Sequence, residues 1–554
     1  EHYFYINNSD QQIYEVHENG EPRQVTNHPE YRFADMILDQ KRGSLYVVGE
    51  NHADSQNIKN CLLRITLDGG GLQIIAEGHD FFSNPQLSPD GSQLLFLAWD
   101  HPNMPWDGTQ LQLADLDFDG NIARIQELAG GMDESIFQPQ WDPDGSIYFI
   151  SDRNGWWNIY RYYHSQITCI LESEAEFGLP QWVFGMSKYA VLNTGDLVAA
   201  YSDLSGSHLL RIDVQEGTSI EIKTHYTHID QVKGSKNHIA FIGHTDSQPG
   251  EVVTMDLDEK TSHTIRKAAE IDINESYISK AQHVSFESAP DELTHAWFYP
   301  PRNPDYEARS GDLPPLIVLS HGGPTGNSSG AFSLAIQYWT SRGFAIVDVN
   351  YSGSTGYGRQ YRERLKGNWG VRDVHDCATA AKYLVGEGLV DKERLIIKGG
   401  SAGGYTTLAA LTFLDVFKAG ASYYGVGDLT LLARDTHKFE SRYLDSMIGP
   451  YPEEKQLYID RSPLNFADQL DCPVIFMQGL DDSVVPPDQA KSMVAALKNN
   501  GIPVAYLPFE GESHGFRQAT TVVKAIESEY YFYTRIFGID PVESVEPIEI
   551  FNLG

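Results

Sequence analysis

At 554 residues, the chain is too long for one hydrophobic core and is expected to divide into two domains. Its 41% hydrophobic and 12% aromatic content is that of a folded globular protein, and a formal charge of −35 repels phosphate backbones, which excludes nucleic acid as a partner. No apolar run approaches the roughly 20 residues that span a bilayer, so no membrane association is expected.

Before about residue 282, helical periodicity is nearly absent, and short alternating strands are separated by Gly, Asn, Asp and Pro turns. Weak self-similarity runs through this half. Pro85-Gln86-Leu87-Ser88-Pro89-Asp90-Gly91 leads into Leu94–Leu97, and Pro139-Gln140-Trp141-Asp142-Pro143-Asp144-Gly145 leads into Ile147–Ile150. Pro180-Gln181-Trp182 opens a third unit. A repeat of roughly 40 to 50 residues with about four strands each marks propeller blades. About six such units can be followed, the first beginning near Tyr3. The aromatic and proline-rich loop Trp99–Gly108 either lines an internal cavity or fills a gap between blades, and Trp156-Trp157 is expected to pack between blades.

The second half alternates strands with helices. Pro315–Ser320 predicts a buried strand, and the loop after it, His321-Gly322-Gly323-Pro324, is of the glycine-rich type that turns backbone N–H groups toward a carbonyl oxygen. Arg394–Ile397 predicts a second strand and Tyr405–Leu411 a helix, with Lys398-Gly399-Gly400-Ser401-Ala402-Gly403-Gly404 between them. Glycines two before and two after the serine fit the G-x-S-x-G nucleophile elbow, a turn so tight that a Cβ at either flank would collide with its neighbours. Ser401 is therefore the candidate nucleophile, with the N–H groups of Gly323 and Ala402 as candidate oxyanion donors. His321 is read as a packing or substrate-flanking residue rather than a second base.

A base and an orienting carboxylate should follow in the order Ser, Asp, His. The strand Pro473–Met477 ends in a loop holding Asp481 and Asp482. An amphipathic helix over about Gln489 to Asn499, a strand at Val504–Phe509 and a loop carrying His514 come next. Parallel strands would bring these loops to one edge of the sheet, where His514 takes the Ser401 proton and one aspartate fixes its tautomer. The four cysteines, Cys61, Cys169, Cys377 and Cys472, show no metal-ligand spacing and suit a reducing cytoplasm. Neither a phosphate-binding loop nor a metal motif is present, and the chemistry calls for no cofactor.

Together with Gly353-Ser354-Thr355-Gly356-Tyr357-Gly358 and Gly399–Tyr405, these motifs resemble the prolyl oligopeptidase family of serine peptidases, in its branch of bacterial dipeptidyl aminopeptidases and acylaminoacyl peptidases. The resemblance spans the C-terminal half and extends into the N-terminal half. It implies a β-propeller over 1–282, an α/β hydrolase with a doubly wound, mostly parallel sheet over 283–542, and a tail over 543–554. Because relatives carry seven blades, a first blade is expected to be missing here, with further residues before Glu1.

Within the Asp-Asp pair, the family's acid is the first member, which points to Asp481. The family also places Phe439, Tyr443 and Val484 around the pocket for the residue before the scissile bond. Arg442 would hold a substrate carbonyl oxygen or pair with Glu440. Some members use a tyrosine hydroxyl as oxyanion donor where His321 stands, so the Gly323 assignment follows the acylaminoacyl-type pattern. Exopeptidases of this kind need carboxylates for the substrate ammonium. Glu134, in Asp133-Glu134, and Glu174, in Glu172–Glu176, are candidates, or else ordinary blade-loop carboxylates.

The expected function is a serine exopeptidase that hydrolyses short peptides or aminoacyl amides near the amino terminus through an acyl-enzyme. The alternatives are an esterase or small-amide hydrolase with the same triad, and a propeller binding protein whose hydrolase half has decayed. The propeller is expected to admit short peptides and exclude folded proteins. Self-association into a homo-oligomer is left open by the sequence.

Overall fold

The alternating strands of the first half become six successive antiparallel sheets in a computed structural model that describes residues 2–18 and 20–553. The first, spanning 2–24, has three strands; five four-stranded sheets follow over 31–76, 81–130, 136–169, 189–221 and 228–267. These are six propeller blades. Apolar side chains fill each gap between neighbours. Ile13 of the first blade meets Leu45 and Val47 of the second, and Ala190 and Leu209 of the fifth meet Ile229 and Phe241 of the sixth.

The weak repeat has a physical basis in the inner strands. Asp35, Asn84, Gln138 and Gln231 occupy positive φ at register shifts of their strands, which makes each a bulge. The Asp35 and Gln138 side chains tie one blade to the next. Asp35 Oδ2 accepts the Asn84 N–H at 2.6 Å, and Gln138 Oε1 accepts the Lys188 N–H at 2.6 Å. Pro180-Gln181-Trp182 departs from the pattern. It forms no strand, and the fifth blade's inner strand is only Tyr189–Val191.

From Gln282 the chain builds one eight-stranded sheet. Its spatial order is Gln282–Ala289, Glu292–Tyr299, Ala345–Asn350, Leu316–Ser320, Leu395–Gly400, Ala419–Tyr423, Val474–Gly479 and Val504–Phe509. The first two strands join antiparallel and the other six run parallel. Continuous apolar runs in the central strands reflect burial on both faces. On one face lie helices Arg372–Gly386, Ala402–Phe413 and Asp488–Asn499, and on the other Leu334–Thr340 and Ala519–Phe537. At the end of the chain, Phe551 bridges to Val504 on the edge strand. Among the described residues, no helix is long and apolar enough to cross a membrane.

The two halves meet through charge. Asp152, in the propeller, is fully buried and receives Arg362 at 2.5 Å and Arg359 at 3.1 Å from the hydrolase half. Beside it, Glu176 accepts the N–H groups of Trp157 (3.1 Å) and Gly358 (2.9 Å). The Arg362 guanidinium lies 4.2 Å over the Trp157 ring, so this tryptophan serves the domain interface as well as its own blade. Removing one partner from a buried pair leaves uncompensated charge, a loss of about 3–5 kcal/mol. Asp152→Ala is therefore expected to lower the thermal unfolding midpoint by several degrees in calorimetry; an unchanged midpoint would show that this cluster does not hold the halves together.

Candidate active site

The elbow is a strained joint. Ser401 follows the strand Leu395–Gly400 and precedes the helix Ala402–Phe413, with φ 56° and ψ −121°. A non-glycine residue there costs on the order of 1–3 kcal/mol, and the surroundings must enforce it. They do so by close approach. A Cβ on Gly399 would come within 2.4 Å of the Gly403 carbonyl carbon, and one on Gly403 within 2.0 Å of the Ser320 oxygen. The Ser401 N–H is tied to the Tyr423 carbonyl at 3.0 Å. Ala402 opens the helix, so its N–H has no intrahelical acceptor.

The three loops converge. His514 Nε2 lies 2.8 Å from Ser401 Oγ, and His514 Nδ1 lies 2.9 Å from Asp482 Oδ2. The aspartate is thus Asp482 and not the expected Asp481. The turn after Gly479 explains the exchange. The Asp481 N–H bonds the Glu512 carbonyl at 2.9 Å, which leaves the Asp481 side chain in solvent. Asp482 points inward, and its Oδ1 accepts the N–H groups of Val484 and Val485, each at 2.9 Å. One carboxylate oxygen fixes the loop and the other faces the imidazole.

Ser401 and His514 open into a cavity of about 520 Å³ that is also bounded by Gly322, Gly323 and Ala402. Both expected oxyanion donors therefore border the same space as the serine. Gly323 holds φ +124°, and a Cβ there would meet the Thr325 nitrogen at 2.7 Å. His321 sets this loop from behind. Its Nδ1 donates to the Gly322 carbonyl at 2.9 Å and its Nε2 accepts from Ser354 Oγ at 2.7 Å, a pairing that requires the neutral ring. Burial pushes its pKa down to about 4. The Tyr351 hydroxyl stacked beside it donates to the His321 carbonyl at 2.9 Å and is thereby engaged in the loop.

The prolyl oligopeptidase family model matches residues 330–540. A puromycin-hydrolyzing peptidase of Mycobacterium tuberculosis is 39% identical, with 99% of this chain and 86% of that one covered and a TM-score of 0.95. The crystal structure of a puromycin hydrolase gives 37% identity, the same coverages and a TM-score of 0.94. This chain belongs to the prolyl oligopeptidase family. Dipeptidyl aminopeptidase BIII of Pseudoxanthomonas mexicana is 32% identical over 208 residues, 36% of this chain and 30% of that protein. The chain spans less than a third of the length of the curated relatives it matches first.

The residues implied by the family separate in the structure. Tyr443 and Val484 line the cavity. The Tyr443 hydroxyl is engaged by Thr325, at 2.6 Å from Oγ1 and 3.0 Å from N. Phe439 lies a layer behind, its ring edge-on to Phe81 and Trp106. Arg442 is half exposed, off the cavity wall, and paired with Asp445 rather than Glu440. Glu134 is taken by Arg153 at 2.7 Å and Ser151 at 2.6 Å. Glu174 borders a different cavity, near Trp156 and Arg364. Neither propeller carboxylate reaches the serine's cavity.

Two lining residues escaped the sequence. Trp182 extends from the propeller, bonds the Thr325 carbonyl through its indole N–H at 2.6 Å, and packs tilted against Trp106 with ring centroids 4.4 Å apart. The loop Trp99–Gly108 thus backs the wall through Trp106 instead of forming it. Glu440 borders the cavity together with Thr436 and His437. Burial lifts its carboxyl above the ordinary range, against the pull of His437 and His514.

Two outcomes follow. Asp482→Asn is expected to lower kcat by about 10⁴-fold, because the imidazole loses its tautomer control, while Asp481→Asn stays within a few-fold of wild type. Steady-state kinetics on both variants would reverse the assignment if Asp481→Asn proved the damaging one. His321 titrates near 6.5 when unfolded and near 4 when folded. Only the unfolded chain takes up a proton in that window, so this histidine's contribution is complete above about pH 6.5 and drains away toward pH 4. Unfolding midpoints measured across that range should fall more steeply for wild type than for His321→Gln.

Proposed function

We propose that this protein is a serine exopeptidase that hydrolyses short peptides or aminoacyl amides near their amino terminus. The observation that carries the reading is the Ser401–His514–Asp482 relay opening into a cavity walled in part by Trp182 of the propeller. Ser401 Oγ attacks the scissile carbonyl while His514 Nε2 takes its proton. Asp482 keeps the other proton on Nδ1 and stabilises the imidazolium. The N–H groups of Ala402 and Gly323 receive the oxyanion. His514 then protonates the departing amine, and a water molecule, deprotonated by the same nitrogen, releases the acyl group. No step calls on a cofactor.

The peptide reading draws on the relatives. They are named a dipeptidyl aminopeptidase, an acylamino-acid-releasing enzyme and puromycin-hydrolyzing peptidases. A cavity of about 520 Å³ suits a short acyl segment, and the propeller wall disfavours folded chains. Four unpaired cysteines, three of them buried, support a reducing cytoplasm as its location.

Ser401→Ala is expected to cut turnover of leucine 4-nitroanilide and of puromycin by about 10⁴- to 10⁶-fold, with an unchanged circular dichroism spectrum. A fluorophosphonate should add its mass to Ser401 alone. Undiminished turnover in the alanine variant would end the proposal, and cleavage of nitrophenyl esters with no amide cleavage at all would make the protein an esterase.

A further inference from the structure

Within the cavity wall, chemistry is unevenly spread. Val426, Leu432, Leu444, Val484 and Trp369 present apolar surface. The anionic side chain among the lining residues is Glu440. Its surroundings do not neutralise it. Among the described residues its ion-pair contact is the half-exposed His437, at 3.9 Å. The neighbouring cations face elsewhere. Lys438 reaches into the propeller to Asn60 and the Asp80 carbonyl, and Arg442 turns to Asp445. Glu440 also lies close enough to His514 for the two charges to interact, so the carboxylate and the relay border one small space.

A second observation comes from the same wall. The Thr436 hydroxyl oxygen is buried beside the Glu440 carboxylate, close enough to draw that carboxyl's pKa down yet outside hydrogen-bond geometry, and Thr436 lines the cavity one short turn before Glu440. A buried hydroxyl left unpaired costs free energy that a ligand's donor would recover. An under-neutralised carboxylate, a buried hydroxyl beside it with lone pairs to spare and an apolar pocket next to a serine nucleophile are together complementary to one chemical group. That group is an α-ammonium carried on a residue with an apolar side chain.

We propose that Glu440, assisted by Thr436, anchors the free α-ammonium of the substrate and so restricts the enzyme to unblocked amino termini. This rests on the serine exopeptidase reading and adds to it the end of the chain that is recognised. Glu440 takes over the role that the sequence had offered to Glu134 and Glu174, both committed elsewhere. An acetylated amine has no positive charge, so an acylated substrate would leave the partly buried carboxylate without a countercharge.

The test compares leucine 4-nitroanilide with N-acetyl-leucine 4-nitroanilide in wild type, Glu440→Gln, Glu440→Asp and Thr436→Val. Wild type should favour the free amine. Glu440→Gln should lower the ratio of kcat/KM values, free over acetylated, by about 10- to 100-fold, mainly through KM. Glu440→Asp should restore part of that ratio, and Thr436→Val should lower it by several-fold. Fluorophosphonate labelling of Ser401 in every variant checks that the relay is still assembled. A ratio unchanged by Glu440→Gln, a parallel fall on both substrates, or a wild-type preference for the acetylated compound would each overturn the proposal. Absence of both turnover and Ser401 labelling in wild type is a separate result: it would overturn the hydrolase reading itself, and this inference with it.

Discussion

The site depends on one enforced approach of backbone to backbone. Gly399, Ser401 and Gly403 bring the end of a central strand, the start of a helix and the Ser320 oxygen so close together that no side chain fits at the flanks. Ser401 is held at a φ it would not choose, and the surrounding sheet must supply the on the order of 1–3 kcal/mol this costs. The strand Leu395–Gly400 lies between Leu316–Ser320 and Ala419–Tyr423. Both neighbours run parallel to it, so their following loops arrive at the same edge. The oxyanion loop, the serine, the aspartate and the histidine all emerge from carboxyl ends of parallel strands, which is where open α/β sheets place their chemistry.

That logic explains which parts of the molecule were legible in advance. Strands and helices of the second half follow from apolar runs and helical spacing, and Val504–Phe509 is found at the expected residues. The elbow was legible because its glycines answer to a local steric demand. The choice between Asp481 and Asp482 was not, since both stand in the same loop and family likeness favoured the wrong one. A physical signal was nonetheless present. Asp482 precedes Val484 and Val485 at the spacing of a side chain that accepts backbone N–H groups two and three residues on. Such a residue turns inward with its loop, while the residue before it is left outside.

Trp182 and Glu440 mark a different limit. Each is set by how the halves of the chain face each other, and a linear pattern does not encode that relation. Trp182 looked like the opening of another blade, yet its indole is used on the carbonyl of Thr325, 143 residues later. Glu440 sits in a three-residue helical turn too short for any periodicity, and Arg442 two residues on made an obvious but incorrect partner. The blade carboxylates failed for the complementary reason. An acidic loop residue is attractive in sequence, but Glu134 already has its cation within the propeller at Arg153.

The interface and the reaction centre are also one continuous network. Asp152 grips Arg359 and Arg362, which lie in the short helix that continues from Gly353–Gly358. In that loop the Ser354 hydroxyl meets His321 Nε2, and the Thr355 N–H meets the Gly326 carbonyl at 2.8 Å. His321 in turn holds the carbonyl of Gly322 at the base of the oxyanion loop. Two residues past Gly323, Thr325 bonds both Trp182 and Tyr443 and so joins the propeller to the segment that carries Tyr443. The loop proposed to present an N–H to the oxyanion is therefore braced by Ser354 through His321 and by Trp182 of the propeller through Thr325. A propeller that only screened substrates would need no such bracing. Here it completes the wall of the cavity and supports the loop beside the nucleophile, so its presence is part of how the site acquires its shape.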